Sequence, residues 1–508
     1  MLTQRLFRSA ASRVVISLAG IVVSFLLTPF IIGHLGSDGY GLWLLVSAIT
    51  AIYAVMDLGL SVATQRAVAQ ALATGCTDVA NEFVNTAFVS FCGVSAVILL
   101  ATVVAVAEAP LIVKTGARVY EFRVVVSLLA TSIIFLFPTY AVSGVYSATF
   151  RYDIVSGIHL VRILTRALLV YIAIVLGGRL IAMAAVTTLT DVGAGGAMVI
   201  VAHRLAPWLK WQRKYFASGR LRELVSFGGW YLVVTLCARG TESLPAFATN
   251  AIAGLTAVTF FGIAQQVYSL SVQIVTNVFG VFLPLFVRQQ SSQDHSANER
   301  DFRLVTQLGL SVAVVMAVGV VGCGADFIRT WLGAKYDESL EPMYILVILG
   351  VFSNSMQSVT QLLFAYSMQA KLAILSACEL LVSASLMYPL AKEFGLNGIA
   401  VAMVAPAVIS RAFIQPLMAK RRIKIDISGH FSRVLRAAVL LALGSIVILR
   451  VQPAVPGSGY LKVLWMGLIS LAVAAPMAYM LCLDGEAKGR LASAAAGLLL
   501  PRSRVRPR

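Results

Sequence analysis

Charge is what this sequence has least of. Asp, Glu, Lys and Arg make up 12% of its 508 residues against 59% hydrophobic ones, and mean hydropathy is +0.88, whereas a soluble domain carries roughly 25% charged residues. A water-soluble globule is excluded. Cysteine and histidine are scarce as well. The six cysteines, at 76, 92, 237, 323, 378 and 482, form no CxxC pair and no cluster with histidine, which leaves no disulfide framework and no zinc site. The five histidines fall at span ends or in loops and are given no role. Long hydrophilic segments are missing too, so no loop is expected to fold as a catalytic domain. No DxD, nucleotide-binding glycine loop, HExxH or GxSxG stands in a supporting context. A primary pump or a membrane glycosyltransferase would need such machinery, so the chain is expected to be no enzyme and to use no cofactor or metal.

What the sequence does have is apolar runs of about 20 residues, the length of a bilayer-crossing helix rather than of the alternating strands of an outer-membrane barrel. The expected fold is an all-α integral membrane protein with about 14 transmembrane helices, the first near 14–32 and the last near 460–482. The first run follows Arg5, Arg8 and Arg13 as a signal sequence would. It lacks a convincing small-residue cleavage site, and another span follows at once, so it reads as an uncleaved helix.

The net charge of +18 is unevenly placed. With the N-terminus in the cytoplasm, 27 of the 40 Lys and Arg fall in inner segments, 9 in outer loops and 4 within spans. The positive-inside rule then puts both termini in the cytoplasm. The strongest basic segments, 203–222 and 420–436, read as surface anchors against anionic lipids rather than as nucleic-acid sites.

Landmarks recur at nearly one offset. Pro29 matches Pro245, 216 residues on, and Gly36 in "HLGSDGYG" matches Gly254 in "AIAGLTAVTFFG", 218 residues on. Each of these glycines is followed by an aromatic-glycine pair, Tyr40-Gly41 or Phe261-Gly262. "LIAMAAV" from Leu180 matches "GIAVAMV" from Gly398, again 218 apart. The offset spans six helices, an even number, so both copies point the same way and are related by a pseudo-two-fold along the membrane normal. The expected organisation is a lobe over 1–222 with spans one to six and a basic linker, a lobe over 223–430 with spans seven to twelve, and two extra spans with a basic cytoplasmic tail over 431–508.

The run "TPFIIGHLGSDGYGLWLLVSAITAIYAVMDLGLSVATQRAVAQ", with "FRYDIVSG", "GLTAVTFFGIAQQVYSL" and "GLNGIAVAMVA", resembles the polysaccharide transporters (Wzx-type flippases) of the multidrug/oligosaccharidyl-lipid/polysaccharide (MOP) superfamily. The resemblance covers most of the chain. It implies a bacterial inner-membrane protein that moves undecaprenyl-diphosphate-linked oligosaccharide from the cytoplasmic to the periplasmic leaflet for O-antigen, capsule or exopolysaccharide assembly. It also implies an ion gradient as the driving force, with a polysaccharide polymerase and other assembly proteins as partners, and the two-lobe repeat itself suits alternating access.

Ionisable residues inside spans cost roughly 2.5–3.5 kcal/mol each on insertion scales, so they face a partner or an aqueous cavity. Arg162 and Arg166 share one face of span five, Arg239 and Glu242 sit in span seven, and Asp191, Glu379 and Arg411 lie in spans six, eleven and twelve. The four arginines suit a diphosphate, whose oxygens match the guanidinium fork. Asp191, Glu242 and Glu379 are then ion-coupling groups, or simply neutralise the arginines. Asp57 falls about 17 residues into span two, roughly 26 Å along it, close to the cytoplasmic interface. There, with Arg66 beyond it, the aspartate either shapes the helix end or takes part in gating and headgroup recruitment.

Rival functions remain. A multidrug or cation exporter of the same superfamily would want acids in its cavity, and span one has none. A lipid II flippase shares the diphosphate-lipid chemistry and is harder to separate. A polysaccharide polymerase resembles chains with a large periplasmic loop, which this one lacks, and a non-transporting scaffold is left open.

Overall fold

The computed structural model describes residues 2–490 apart from 58, 115, 150, 280–294 and 424–428. The basic tail, the end of the eighth expected span and part of the 420–436 segment lie outside the described residues. Among the described residues every regular element is helical, and eleven helical stretches are long and apolar enough to cross a membrane. Three of these, Ile16–Ala73, Leu232–Thr276 and Gln369–Ile423, run for 58, 45 and 55 residues, more than twice the ~20 residues of one crossing. Each is interrupted by a glycine in left-handed backbone, Gly36 (φ 73°), Gly254 (φ 79°) and Gly395 (φ 57°). Glycine takes such angles without the Cβ clash other residues meet. Counting each of the three as two crossings gives the fourteen that the apolar runs predict.

By its contacts the chain forms two compact units, Met1–Gly262 with Ser376–Ala384, and Ile263–Leu375 with Ser385–Arg508. The first unit holds α1 (Leu2–Val55), α2 (Leu60–Ala73), α3 (Thr77–Ala107), α4 (Gly116–Thr139), α5 (Ser143–Ala148), α6 (Tyr152–Val175), α7 (Leu180–Leu205) and the first part of α8 (Ser218–Phe279). Helix α4 lies against α3 and α7, α6 against α1 and α7, and α2 against α5 and α3. Phe91, Phe122, Phe137 and Tyr146 are fully buried among them.

Between helices in lipid, hydrogen bonds from small hydroxyl residues add to the packing that holds them together. Pro138 in α4 has no N–H and bares the carbonyl one turn earlier; Ser95 Oγ of α3 donates to that Ile134 oxygen at 2.9 Å. Thr188 Oγ1 of α7 likewise donates to Leu128 O at 2.8 Å.

The chain breaks between α1 and α2, where Gly59 has φ 68°. Asp57 caps the restart: its Oδ1 accepts from the Ser61 N–H at 3.1 Å and its Oδ2 from the Ser61 hydroxyl. Asp57→Ala is therefore expected to lower stability by about 1 kcal/mol, as loss of a helix cap does, with Asp57→Asn close to wild type. Thermal unfolding of the purified protein checks this; equal midpoints for all three would contradict it.

In the second unit α9 (His295–Trp331) is central, contacting α10 (Leu340–Asn354), α11 (Gln357–Ala365) and the two extra spans, α14 (His430–Val451) and α15 (Gly459–Leu481). Asp326 of α9 accepts from Gln452 Nε2 at 3.1 Å and Lys462 Nζ at 3.2 Å. Beyond α15, Gln307 Nε2 donates to Asp484 Oδ2 at 2.6 Å, while the Asp484 N–H returns a bond to Gln307 Oε1 at 3.0 Å. These polar pairs fasten the added helices to α9. Helices α12 (Gln369–Val408) and α13 (Gln415–Ile423) are joined by a π-helical turn, Ile409–Ile414.

Backbone geometry follows the sequence repeat. Gly36 and Gly254, 218 residues apart, have nearly the same dihedrals (ψ 171° and −177°), and Gly177 (φ 86°) and Gly395 (φ 57°) are 218 apart again. Within the first unit the bends of α1 and α8 meet. Thr256 Oγ1 donates to Asp38 Oδ1, and a Cβ on Gly262 would overlap Leu44; both pairs are 218 residues apart. Thr259 Oγ1 donates to Ser37 O at 2.6 Å. The counterparts of those two residues, Gly41 and Leu255, also meet, so closely that a Cβ on Gly41 would overlap the Leu255 carbonyl. Two self-paired residues with a reciprocal pair between them are the signature of a two-fold contact. The aromatic-glycine pairs, 221 apart, are out of this register, so Gly41 and Gly262 serve different contacts.

Candidate substrate site

Helix α6 starts at Tyr152, so Arg162 and Arg166 lie about 15 and 21 Å along a 24-residue helix at 1.5 Å per residue. They are near mid-span. His159, three residues before Arg162, lies on the same face. On α7, Asp191 faces both arginines: its Oδ1 is 3.2 Å from Arg162 Nη1 and 3.8 Å from Arg166 Nη1. The side chains are 21%, 36% and 13% exposed for Arg162, Arg166 and Asp191. Arg166, the most open and the more distant from the carboxylate, is best placed to take another partner. One carboxylate between two guanidiniums leaves the group a net cation. Two of its buried polar atoms, Arg162 Nε and His159 Nδ1, have no hydrogen-bond partner. Burying a polar group without one costs about 1–3 kcal/mol. The cluster suits an anion that brings several acceptor oxygens.

The other expected site residues separate. Arg239 Nη1 and Glu242 Oε2 pair at 2.7 Å, one turn apart on α8 and about half exposed (54% and 49%). This is the mutual neutralisation that their spacing allows. Glu379 is half-buried on α12, in the segment belonging to the first unit. Arg411 is half-buried on the π-helical turn of the second unit. Arg66 is exposed on α2, and Asp57 has Ser61 as its partner.

Two groups are not evident from the apolar runs. His159 reads in sequence as a span-end residue; its signal is the spacing to Arg162 and Arg166. The other group is a polar face on the first turns of α3, Asp78, Asn81, Glu82, Asn85 and Thr86, at helical spacing before a stretch with no charged residue until Glu108. It grips the linker between α7 and α8. Tyr215 in that linker donates to Asp78 Oδ1 at 3.1 Å, and this bond holds its phenol above the ordinary tyrosine range.

Fourteen crossings, two of them the added helices fastened to α9, make up an all-helical membrane fold. Solved structures share the fold. The lipid II flippase MurJ in an inward closed conformation matches with a TM-score of 0.72 at 11% identity, over 92% of this chain and 99% of that one. An inward-facing multidrug resistance MATE transporter of the MOP superfamily matches with 0.63 at 14% identity, over 82% and 98%. Among curated proteins, the membrane protein EpsK of Bacillus subtilis (strain 168), described as uncharacterized, is 22% identical over 417 residues, 80% of this chain and 81% of that protein.

Residues 34–341 match the family described as "Polysaccharide biosynthesis protein". The chain belongs to that family, and its apolar helices make it a multi-pass membrane protein.

Proposed function

We propose that this transporter flips an undecaprenyl-diphosphate-linked oligosaccharide from the cytoplasmic to the periplasmic leaflet of a bacterial inner membrane, with both termini in the cytoplasm. The observation that carries the proposal is the net-cationic Arg162–Arg166–Asp191 group at mid-span, with Arg162 Nε and His159 Nδ1 buried and unpartnered. A diphosphate supplies negative charge and several acceptor oxygens, which is what this group lacks. An organic cation would be repelled. In the proposed orientation, the α1–α8 contact around Asp38 and Thr256 closes the periplasmic end, and alternating access opens it after the headgroup has entered from the cytoplasm. The polyprenyl tail stays in lipid, and the oligosaccharide travels with the diphosphate toward assembly of a surface polysaccharide.

The test uses liposomes holding the purified protein and a short-chain polyprenyl diphosphate bearing a fluorescent oligosaccharide, scored by the fraction open to an external quencher. Protein-dependent movement of this probe, faster than that of lipid II and absent for an organic cation, is expected. Preference for lipid II would move the assignment to peptidoglycan precursors. Transport of the cation alone would overturn the proposal.

A further inference from the structure

The linker between α7 and α8 is an ordered strip with one 3-10 turn, Arg213–Tyr215. Its backbone is extended at Gln212 (φ −145°, ψ 137°) and at Phe216 (φ −72°, ψ 122°). Two asparagines one turn apart on α3 hold it. Asn81 accepts from the Lys210 N–H at 2.8 Å and donates to Trp208 O at 3.0 Å; Asn85 accepts from the Gln212 N–H at 3.1 Å and donates to Lys210 O at 2.8 Å. Each side-chain amide thus imitates the edge of a β-strand and reads alternate residues of the linker. Both asparagines are buried, 2% and 6% exposed. Thr86 Oγ1 accepts from the Ala217 N–H at 3.2 Å, and Glu82 accepts from Arg220 Nε at 3.1 Å. An ordinary connection between two spans needs none of this.

The fixed strip faces outward with one sign of charge. Lys210, Trp211, Arg213, Lys214 and Phe216 are exposed. The nearby acids are engaged: Asp78 by Tyr215, Glu82 by Arg220, and Glu223 by Arg220 at 3.4 Å. Lys214 lies over the Tyr215 ring at 5.0 Å, and Trp211 is braced by Phe88 (ring centroids 4.9 Å) and by a bond to His203 Nε2 at 2.8 Å. Because the strip joins the last residue of one span to the start of the next, it lies at the membrane surface. Cations beside aromatic rings at that level match anionic headgroups and the aromatic belt of a bilayer.

We propose that segment 206–217 is a pre-formed docking strip for anionic phospholipid headgroups, held in register by Asn81 and Asn85 so that Lys210, Arg213 and Lys214 meet the leaflet together. Preforming the strip removes the ordering cost that a free loop meets on binding. The strip would fix the cytoplasmic end of the first unit in the leaflet, whichever sugar is carried.

The experiment measures phosphatidylglycerol and phosphatidylcholine retained by the full-length protein, by lipid titration and native mass spectrometry. Wild type is expected to prefer phosphatidylglycerol. Lys210→Gln/Arg213→Gln/Lys214→Gln should weaken that binding on the order of a hundredfold, from about fivefold per cation near an anionic surface. Lys210→Arg/Lys214→Arg should keep it, which separates loss of charge from misfolding. Asn81→Ala/Asn85→Ala leaves the charges in place and should still weaken binding severalfold. Equal retention of the two lipids, or wild-type affinity in the triple variant, would overturn the proposal; wild-type affinity in the asparagine variant would overturn the fixed register.

Discussion

Arg166→Ala is expected to slow flipping of a polyprenyl-diphosphate sugar between about tenfold and a hundredfold, the loss of one hydrogen bond to a charged partner. Arg162→Ala should act in the same range, and Arg166→Lys should recover only part of the rate, because an ammonium keeps the charge but not the two-pronged fit to phosphate. Asp191→Asn separates binding from mere neutralisation. If the arginines serve the headgroup, removing the carboxylate that competes for them should tighten diphosphate binding. If they exist only to balance Asp191, the same change strands two cations in the membrane, and the protein should lose stability without gaining affinity. Flipping rates and thermal midpoints measured side by side distinguish these outcomes.

The second large effect concerns the contact between α1 and α8. In a background without native cysteines, Asp38→Cys/Thr256→Cys joined by a short thiol-specific cross-linker should bring flipping to the level of empty liposomes and restore it on reduction. Opening at that end has to part this pair. Gly41→Leu should arrest transport from the opposite side, because its side chain would overlap the Leu255 carbonyl and prevent the bends from meeting. That variant, carrying the same two cysteines, should therefore resist cross-linking. Full transport through the cross-linked protein would refute a gate at this contact.

The fold was largely legible because the bilayer imposes its own length scale. Apolar runs and charge-poor composition give fourteen crossings, and Gly36 and Gly254, matched by sequence, share one backbone conformation. The register of the repeat was less legible. The aromatic-glycine pairs look equivalent in sequence, yet the partners of Gly41 and Gly262 differ, since short apolar motifs match in several registers and only contacts choose among them.

At the site, helical spacing placed Arg162 beside Arg166 and Arg239 beside Glu242, while Asp191 could be assigned to the first pair only once α6 and α7 were packed. A histidine at a span boundary looks solvated in sequence; the apolar run of span five starts at His159, but α6 begins seven residues earlier, at Tyr152, and carries it inward. The asparagine clamp on α3 was hidden for another reason. Asn81 and Asn85 recognise backbone, and backbone partners leave no mark in the sequence of the linker they hold.

The central claim is that a diphosphate is held by the α6 arginines. It is tested most directly by the affinities of wild type and Arg162→Ala/Arg166→Ala for undecaprenyl diphosphate, undecaprenyl phosphate and undecaprenol in one detergent. Wild type should bind them in that order, diphosphate tightest, and the order should collapse in the double variant while its affinity for undecaprenol stays unchanged. Wild-type preference for the diphosphate persisting without both arginines would contradict the account.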